Sequence, residues 1–414
     1  YVSINSDRLW ARLNEVGHIG SDPRGGISRF AWEPPYKEAV MLLIRWIKEA
    51  GLTARIDTVG NVFARLEGDD PHAPAVLSGS HFDTVPQGGC FDGLAGVMGA
   101  LEALVAIKES GLPHKKPLEM VAFINEEASQ FLGGTFGSKA ICGMLPDDYA
   151  FHLRNRQTGQ LLSDAMREFG MGLDPERLTE SKIDPHAYCG FLEMHIEQGR
   201  YLLDADKPFS IVSCVAGIKQ FYLHFHGTAA HAGGMAMSDR HDALAAAAAV
   251  ISAVENLAKE CSKDTRGTVG YISVLPCEHN IIPEDVTISV DFRETEDMKW
   301  EKLYTDLIEV TKQECAKRGL SWTVETTCDL RPAHCAPELI HILEEAAVGT
   351  GFEKDRMISF PAHDSMNMSR MMLFLRSSNG GLSHCPEEYT TRDDLVIGTQ
   401  ILTNALFLAA NREN

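Results

Sequence analysis

No CxxC pair occurs among the ten cysteines of this 414-residue chain, and scattered thiols of this kind suit a reduced, cytosolic protein. Long apolar runs are missing as well. The longest uninterrupted one, Ala243–Ile251, is far short of the roughly 20 residues that span a bilayer. Positive charge is scarce: 38 Lys and Arg stand against 58 Asp and Glu, a formal net charge of −20. Such a chain has no electrostatic reason to bind nucleic acid or anionic lipid. The opening residues, YVSINSDRLW, carry no basic-then-apolar leader. There is no internal repeat, and the alanines of Ala243–Ala249 are good helix formers, not a low-complexity signal. What remains is an ordinary globular composition, 44% hydrophobic and 23% charged, long enough for two or three domains. The expectation is a soluble cytoplasmic enzyme with no nucleic-acid or membrane partner.

Periodicity divides the chain in two. Val40, Leu43, Ile44 and Ile47 share a helix face that ends at Gly51, and β-like runs at Ala54–Thr58 and Val62–Arg65 flank the Gly60-Asn61 turn. Ala75–Leu77 leads into Ser78-Gly79-Ser80-His81, and Leu94–Ile107 reads as a helix. Leu118–Asn125 is a continuous apolar strand, as in a sheet covered on both faces. Near residue 215 the character changes. Lys219–His226 alternates, then come an alanine-rich helix (Asp242–Glu260), the strand Gly267–Leu275, and a strand with Val286, Ile288, Val290 and Phe292 on one face. A helix through Trp300, Leu303, Leu307 and Val310 and a strand at Leu320–Glu325 complete a β-α-β-β-α-β order. After about Leu330 the first pattern resumes. The expected fold is α/β: a large domain with a central sheet flanked by helices (1–214 and 331–414), interrupted by a smaller one at 215–330.

Four segments carry chemistry-bearing residues. In SGSHFDTVPQGGCFD, His81 and Asp83 follow a strand and Asp92 precedes the next helix. Carboxyl ends of strands are where open α/β sheets bind ligands, and His with Asp suits a divalent metal, a nearby carboxylate fixing the imidazole tautomer. A capping Asp beside a satisfied His would also explain the segment. Asn125-Glu126-Glu127 puts two carboxylates after a buried strand, either as metal ligand plus general base or as a solvated helix start. His195 of EMHIEQG and His384 of GGLSHCPEE sit at further strand-to-loop junctions. Together the four fit the three or four protein ligands of each ion in an open metal site.

The succession HFDTVP, FDG, NEE, HIEQG, HAGG, HNIIP, DFR, HDS and LSHCPEE resembles the metal-dependent N-carbamoyl-L-amino-acid hydrolase and allantoate amidohydrolase family, a branch of the dizinc aminoacylase and carboxypeptidase superfamily. The likeness runs from about residue 5 to 410. His195 in HIEQG is the mark of this branch, because the peptidase branches usually have an acidic residue there. The resemblance implies a catalytic domain interrupted by a lid and dimerisation domain, and two divalent metal ions per subunit, zinc or else manganese, cobalt or nickel.

By that resemblance His81, Asp92 and His195 would hold one ion, and Asp92, Glu127 and His384 the other. Asp83 would orient His81, and Glu126 would be the general base. His231 of HAGG would steady the developing oxyanion. Arg293, on the polar face of its strand, would bind a substrate carboxylate. Gln198 and Asn280 would contact the ureido group, with His363 and Asp364 near the substrate. The implied protein is a homodimer that removes the carbamoyl group of an N-carbamoyl-L-amino acid, giving amino acid, carbon dioxide and ammonia. Allantoate or ureidoglycolate amidohydrolase and beta-ureidopropionase are the alternatives, then an aminoacylase or dipeptidase, then a catalytically silent binding protein. Three departures fall near the expected pocket: the family's HAGTTPM reads His231-Ala-Gly-Gly-Met-Ala-Met237, Ile358-Ser-Phe-Pro-Ala362 lacks a glycine-rich lead-in to His363-Asp364, and the stretch between Asp364 and His384 is a few residues short of the family's.

Overall fold

The computed structural model describes residues 2–351, 355–368 and 370–413. The chain forms two compact units: Tyr1–Ser213 with Cys335–Met357 and His363–Asn414, and Cys214–His334 with Ile358–Ala362.

In the first unit a mixed sheet runs Thr53–Ile56, Val62–Leu66, Leu118–Phe123, Ala75–His81, Tyr188–Ile196, Arg370–Leu375, and then the first residues of Phe209–Val215. The four from Leu118–Phe123 to Arg370–Leu375 are mutually parallel. Their residues are almost entirely buried, which is why they read as continuous apolar runs and not as alternation. Parallel neighbours end on the same side, so His81, the residues after Phe123, and His195 emerge together. The helix Leu94–Ser110 is buried from Leu94 to Ile107. It packs on the His81 strand and against the helices Ser6–Gly17 and Arg392–Asn411, so its apolar surface goes all round rather than down one stripe. Gly111, in the left-handed region at φ 66°, closes it.

The second unit is an antiparallel sheet ordered Ile272–Leu275, Asp285–Glu294, Gly217–His226, Ser321–Leu330. Phe221, Leu223, Phe225, Val286, Ile288, Val290 and Phe292 form its buried face against Ala246, Val250, Leu303 and Leu307 of the helices Ala243–Cys261 and Asp297–Arg318. The strand expected at Gly267–Leu275 is two pieces, Arg266–Thr268 and Ile272–Leu275, and the last strand continues to Leu330. Ile358–Ala362 belongs with this unit rather than with its sequence neighbours. Ser359 O accepts from Ala216 N at 2.8 Å, and Arg293 Nη1 donates to Phe360 O at 2.6 Å.

Candidate metal centre

Local structure at the strand ends aims the acidic and imidazole groups inward. After the Phe123 strand, Asn125 takes φ 54° and Ala128 φ 52°, so Asn125-Glu126-Glu127 makes a tight loop. The helix start considered for this segment is absent: the next helix begins only at Phe136. Asp83 holds the loop, its carboxylate accepting the Glu126 N–H at 3.0 Å and the Glu127 N–H at 3.1 Å. The expected Asp83 carboxylate contact with His81 is 3.8 Å from Nδ1, too long for a hydrogen bond. His81 is instead fixed through the Asp83 backbone carbonyl, 3.0 Å from Nδ1. Asp83 therefore positions His81 with its backbone and the two glutamates with its side chain.

Asp92 is the centre. Its Oδ1 lies 3.1 Å from both His81 Nε2 and His195 Nε2, and its Oδ2 lies 3.3 Å from His384 Nε2. Glu127 Oε1 is 3.2 Å from the same His384 nitrogen. Glu126 Oε2 sits 4.0 Å from His81 Nε2. Two triads, His81–Asp92–His195 and Asp92–Glu127–His384, thus have donor atoms close enough to hold an ion each, with Asp92 common to both. His195 Nδ1 is 2.8 Å from the Ile196 carbonyl, which leaves Nε2 as the ligating nitrogen.

The electrostatics call for cations. Hydrogen bonds to the Asp92 and Glu127 carboxylates raise His384 to about 11. Burial opposes charge on His81, yet Asp92, Glu126 and Glu127 outweigh it and raise this imidazole well above its usual value. Burial, reinforced by Glu127, holds the Glu126 carboxyl well above the usual range. Gln198, at φ 58°, places its amide nitrogen 2.8 Å from Asp92 Oδ2 and 3.1 Å from His384 Nε2, beside two candidate ligand atoms. Its Oε1 is buried without a hydrogen-bond partner. This N/O donor set fits borderline divalent metals.

His363 is buried edge-on against His195, ring centroids 4.5 Å apart, and burial lowers its pKa well below the usual value. Asp364 is fully buried behind it and hydrogen-bonded by Ser138 Oγ. Burial and then Glu193 push its carboxyl up to about 8. In the second unit, the register Ile281↔His231 and the Ala232 N–H to Asn280 O bond make His231 and Asn280 neighbours. Both are exposed. Arg293 lies at the other end of the adjoining strand, held by Asp291 at 3.0 and 3.1 Å.

Two buried carboxylates escaped sequence reading. Glu193, wholly buried, accepts from Ser80 Oγ and the Ser365 N–H; a charge inside an apolar strand was its signal. Glu388 bonds its own His384 loop and also the Asp92 loop nearly 300 residues away, and no local pattern marks that second link.

The peptidase family M20/M25/M40 matches residues 77–407, and the chain belongs to that family. Within it the similarity is to amidohydrolases. The chain is 36% identical to an N-carbamoyl-L-amino-acid amidohydrolase of Pseudomonas sp. (strain NS671), over 98% of each chain. It is 34% identical to allantoate deiminase 1 of Glycine max, over 95% of this chain and 88% of that one. A crystal structure of an amidase of the hydantoinase/carbamoylase family from Burkholderia multivorans superposes with a TM-score of 0.89 at 30% identity, covering both chains fully.

Proposed function

We propose that this protein hydrolyses the ureido carbon–nitrogen bond of an N-carbamoyl-L-amino acid, releasing the amino acid, carbon dioxide and ammonia. The coarser statement needs no proposal: by family and relatives the chain is a metal-dependent amidohydrolase acting on non-peptide C–N bonds. The observation that carries the reading is the pair of ligand triads sharing Asp92 with Glu126 beside them. A binding protein needs no such carboxylate, whereas a hydrolase needs one to move a proton.

His81, Asp92 and His195 would hold one divalent ion and Asp92, Glu127 and His384 the second. Bound there, the ions supply Lewis acidity to the water and the scissile carbonyl. Glu126, its proton affinity raised by burial, takes the proton of the attacking water and returns it to the leaving nitrogen. Asp83 keeps Glu126 and Glu127 turned apart, so that one serves the proton and the other the metal. Gln198 and Asn280 contact the ureido group, His363 and Asp364 shape the pocket behind it, and Arg293 binds the substrate carboxylate. His231 donates to the developing oxyanion. The active form is a cytoplasmic homodimer, its smaller unit serving as lid and dimerisation domain.

The similarity to allantoate deiminase supports a second reading, in which the ureido group belongs to allantoate or ureidoglycolate. One panel separates the two: ammonia release from N-carbamoyl-α-amino acids, carbamoyl-β-alanine, allantoate and ureidoglycolate. Highest kcat/KM on the first class is expected. Turnover confined to allantoate or ureidoglycolate would replace the first reading with the second.

A further inference from the structure

Glu388 lies outside both ligand triads and outside the proton-transfer scheme, yet it is only 4% exposed and every hydrogen bond it accepts comes from two of the three loops that build the second triad. Oε1 accepts the Phe91 and Asp92 N–H groups, both at 2.9 Å. Oε2 accepts the Ser383 hydroxyl at 2.9 Å and the His384 N–H at 3.4 Å. Ser383 Oγ is in turn 2.9 Å from Asp92 Oδ2. A second, independent feature is the room left for this carboxylate. A Cβ added to Gly89 would stand 2.3 Å from Glu388 Oε1 and 2.4 Å from its Cβ, so only glycine lets the Gly88-Gly89 loop close over it.

From this geometry we infer that Glu388 is a positioning residue that ties the Asp92 loop to the His384 loop and so assembles the second metal site. The inference rests on the two-ion reading above. The physical need is specific to that site. His81 and His195 sit at the ends of paired strands and keep their places through the sheet. His384 comes from an irregular loop, itself at φ 58°, and has no ladder to fix it. Two loops far apart in sequence are here held by one buried acceptor pair, and an outer partner of a ligand typically changes metal affinity about 10–100-fold when removed.

The test is calorimetric titration of the metal-stripped full-length protein with zinc, comparing wild type, Glu388→Gln and Gly89→Ala. Gln keeps the side-chain volume and an acceptor for the Phe91 and Asp92 amides but loses the acceptor facing Ser383 and His384. Ala at position 89 displaces the Glu388 side chain while leaving its charge. Both variants should bind the first ion as wild type does and the second about 10–100-fold more weakly. Circular dichroism of the metal-free proteins checks that the fold persists. Two wild-type affinities in both variants, or equal weakening of both sites, overturns the clamp alone. A wild-type chain that takes up no second ion defeats the two-ion reading, and the clamp with it.

Discussion

Glu126 and Glu127 are adjacent in sequence yet lie beside different partners, and the loop that carries them sets the division on which their proposed roles rest. Asp83 receives both backbone amides, which turns Glu127 toward His384 and Glu126 toward the first triad. Glu126→Gln should keep metal content and lower turnover by at least about 10²-fold. Glu127→Gln should reduce metal occupancy, read by elemental analysis after dialysis. The reverse pattern would exchange their roles. Of the proposed ligands, His81, Glu127 and His195 could be singled out because each lies at or just past the end of an apolar strand, whereas Asp92 and His384 come from loops and stood out only as part of the motif succession. The manner in which Asp83 acts was not, because a carbonyl acceptor leaves no side-chain signature.

Strands and helices were readable where burial enforces a period. The apolar run ending at Phe123 and the alternating run 286–292 came through because one lies in a sheet covered on both faces and the other presents one face to helices. The helix 94–110, read from sequence as a helix over 94–107, buries nearly all of itself, since its environment is helical on one side and sheet on the other. Gly96 makes that contact possible: a Cβ there would meet the Met194 carbonyl oxygen at 2.2 Å and Ser80 Cβ at 2.8 Å. Backbone cannot step aside as a side-chain tip can. Gly96→Ala should therefore destabilise by about 1–3 kcal/mol, despite its better helix propensity. Urea unfolding of the metal-free protein measures it, and a variant as stable as wild type would show that helix and sheet can separate at little cost. Because Met194 directly precedes His195, the same variant should also weaken the first metal site.

At the scale of the whole molecule the residues proposed for the reaction divide between the two units of the chain. Glu126 and both ligand triads belong to the first unit, whereas His231 and Asn280 belong to the second, where His231 is exposed and its ring nitrogen Nδ1 receives the Gly233 N–H at 3.1 Å. An oxyanion donor is worth about 10²–10³-fold in kcat, so His231→Ala should lose that much activity while retaining its metals. The dimeric reading makes a sharper claim, that His231 serves the site of the neighbouring subunit. A His231→Ala subunit and a Glu126→Gln subunit then spoil different sites. In a mixed dimer one site carries both defects and the other carries neither. Mixing the two impaired variants under conditions of subunit exchange should restore activity, to about half of wild type per mixed dimer with one of its two symmetric sites intact. Exchange is followed independently with differently tagged subunits. Proven exchange without recovery would assign His231 to the site of its own chain, and a protein that sediments as a monomer at assay concentration with full activity would remove the dimer from the mechanism altogether.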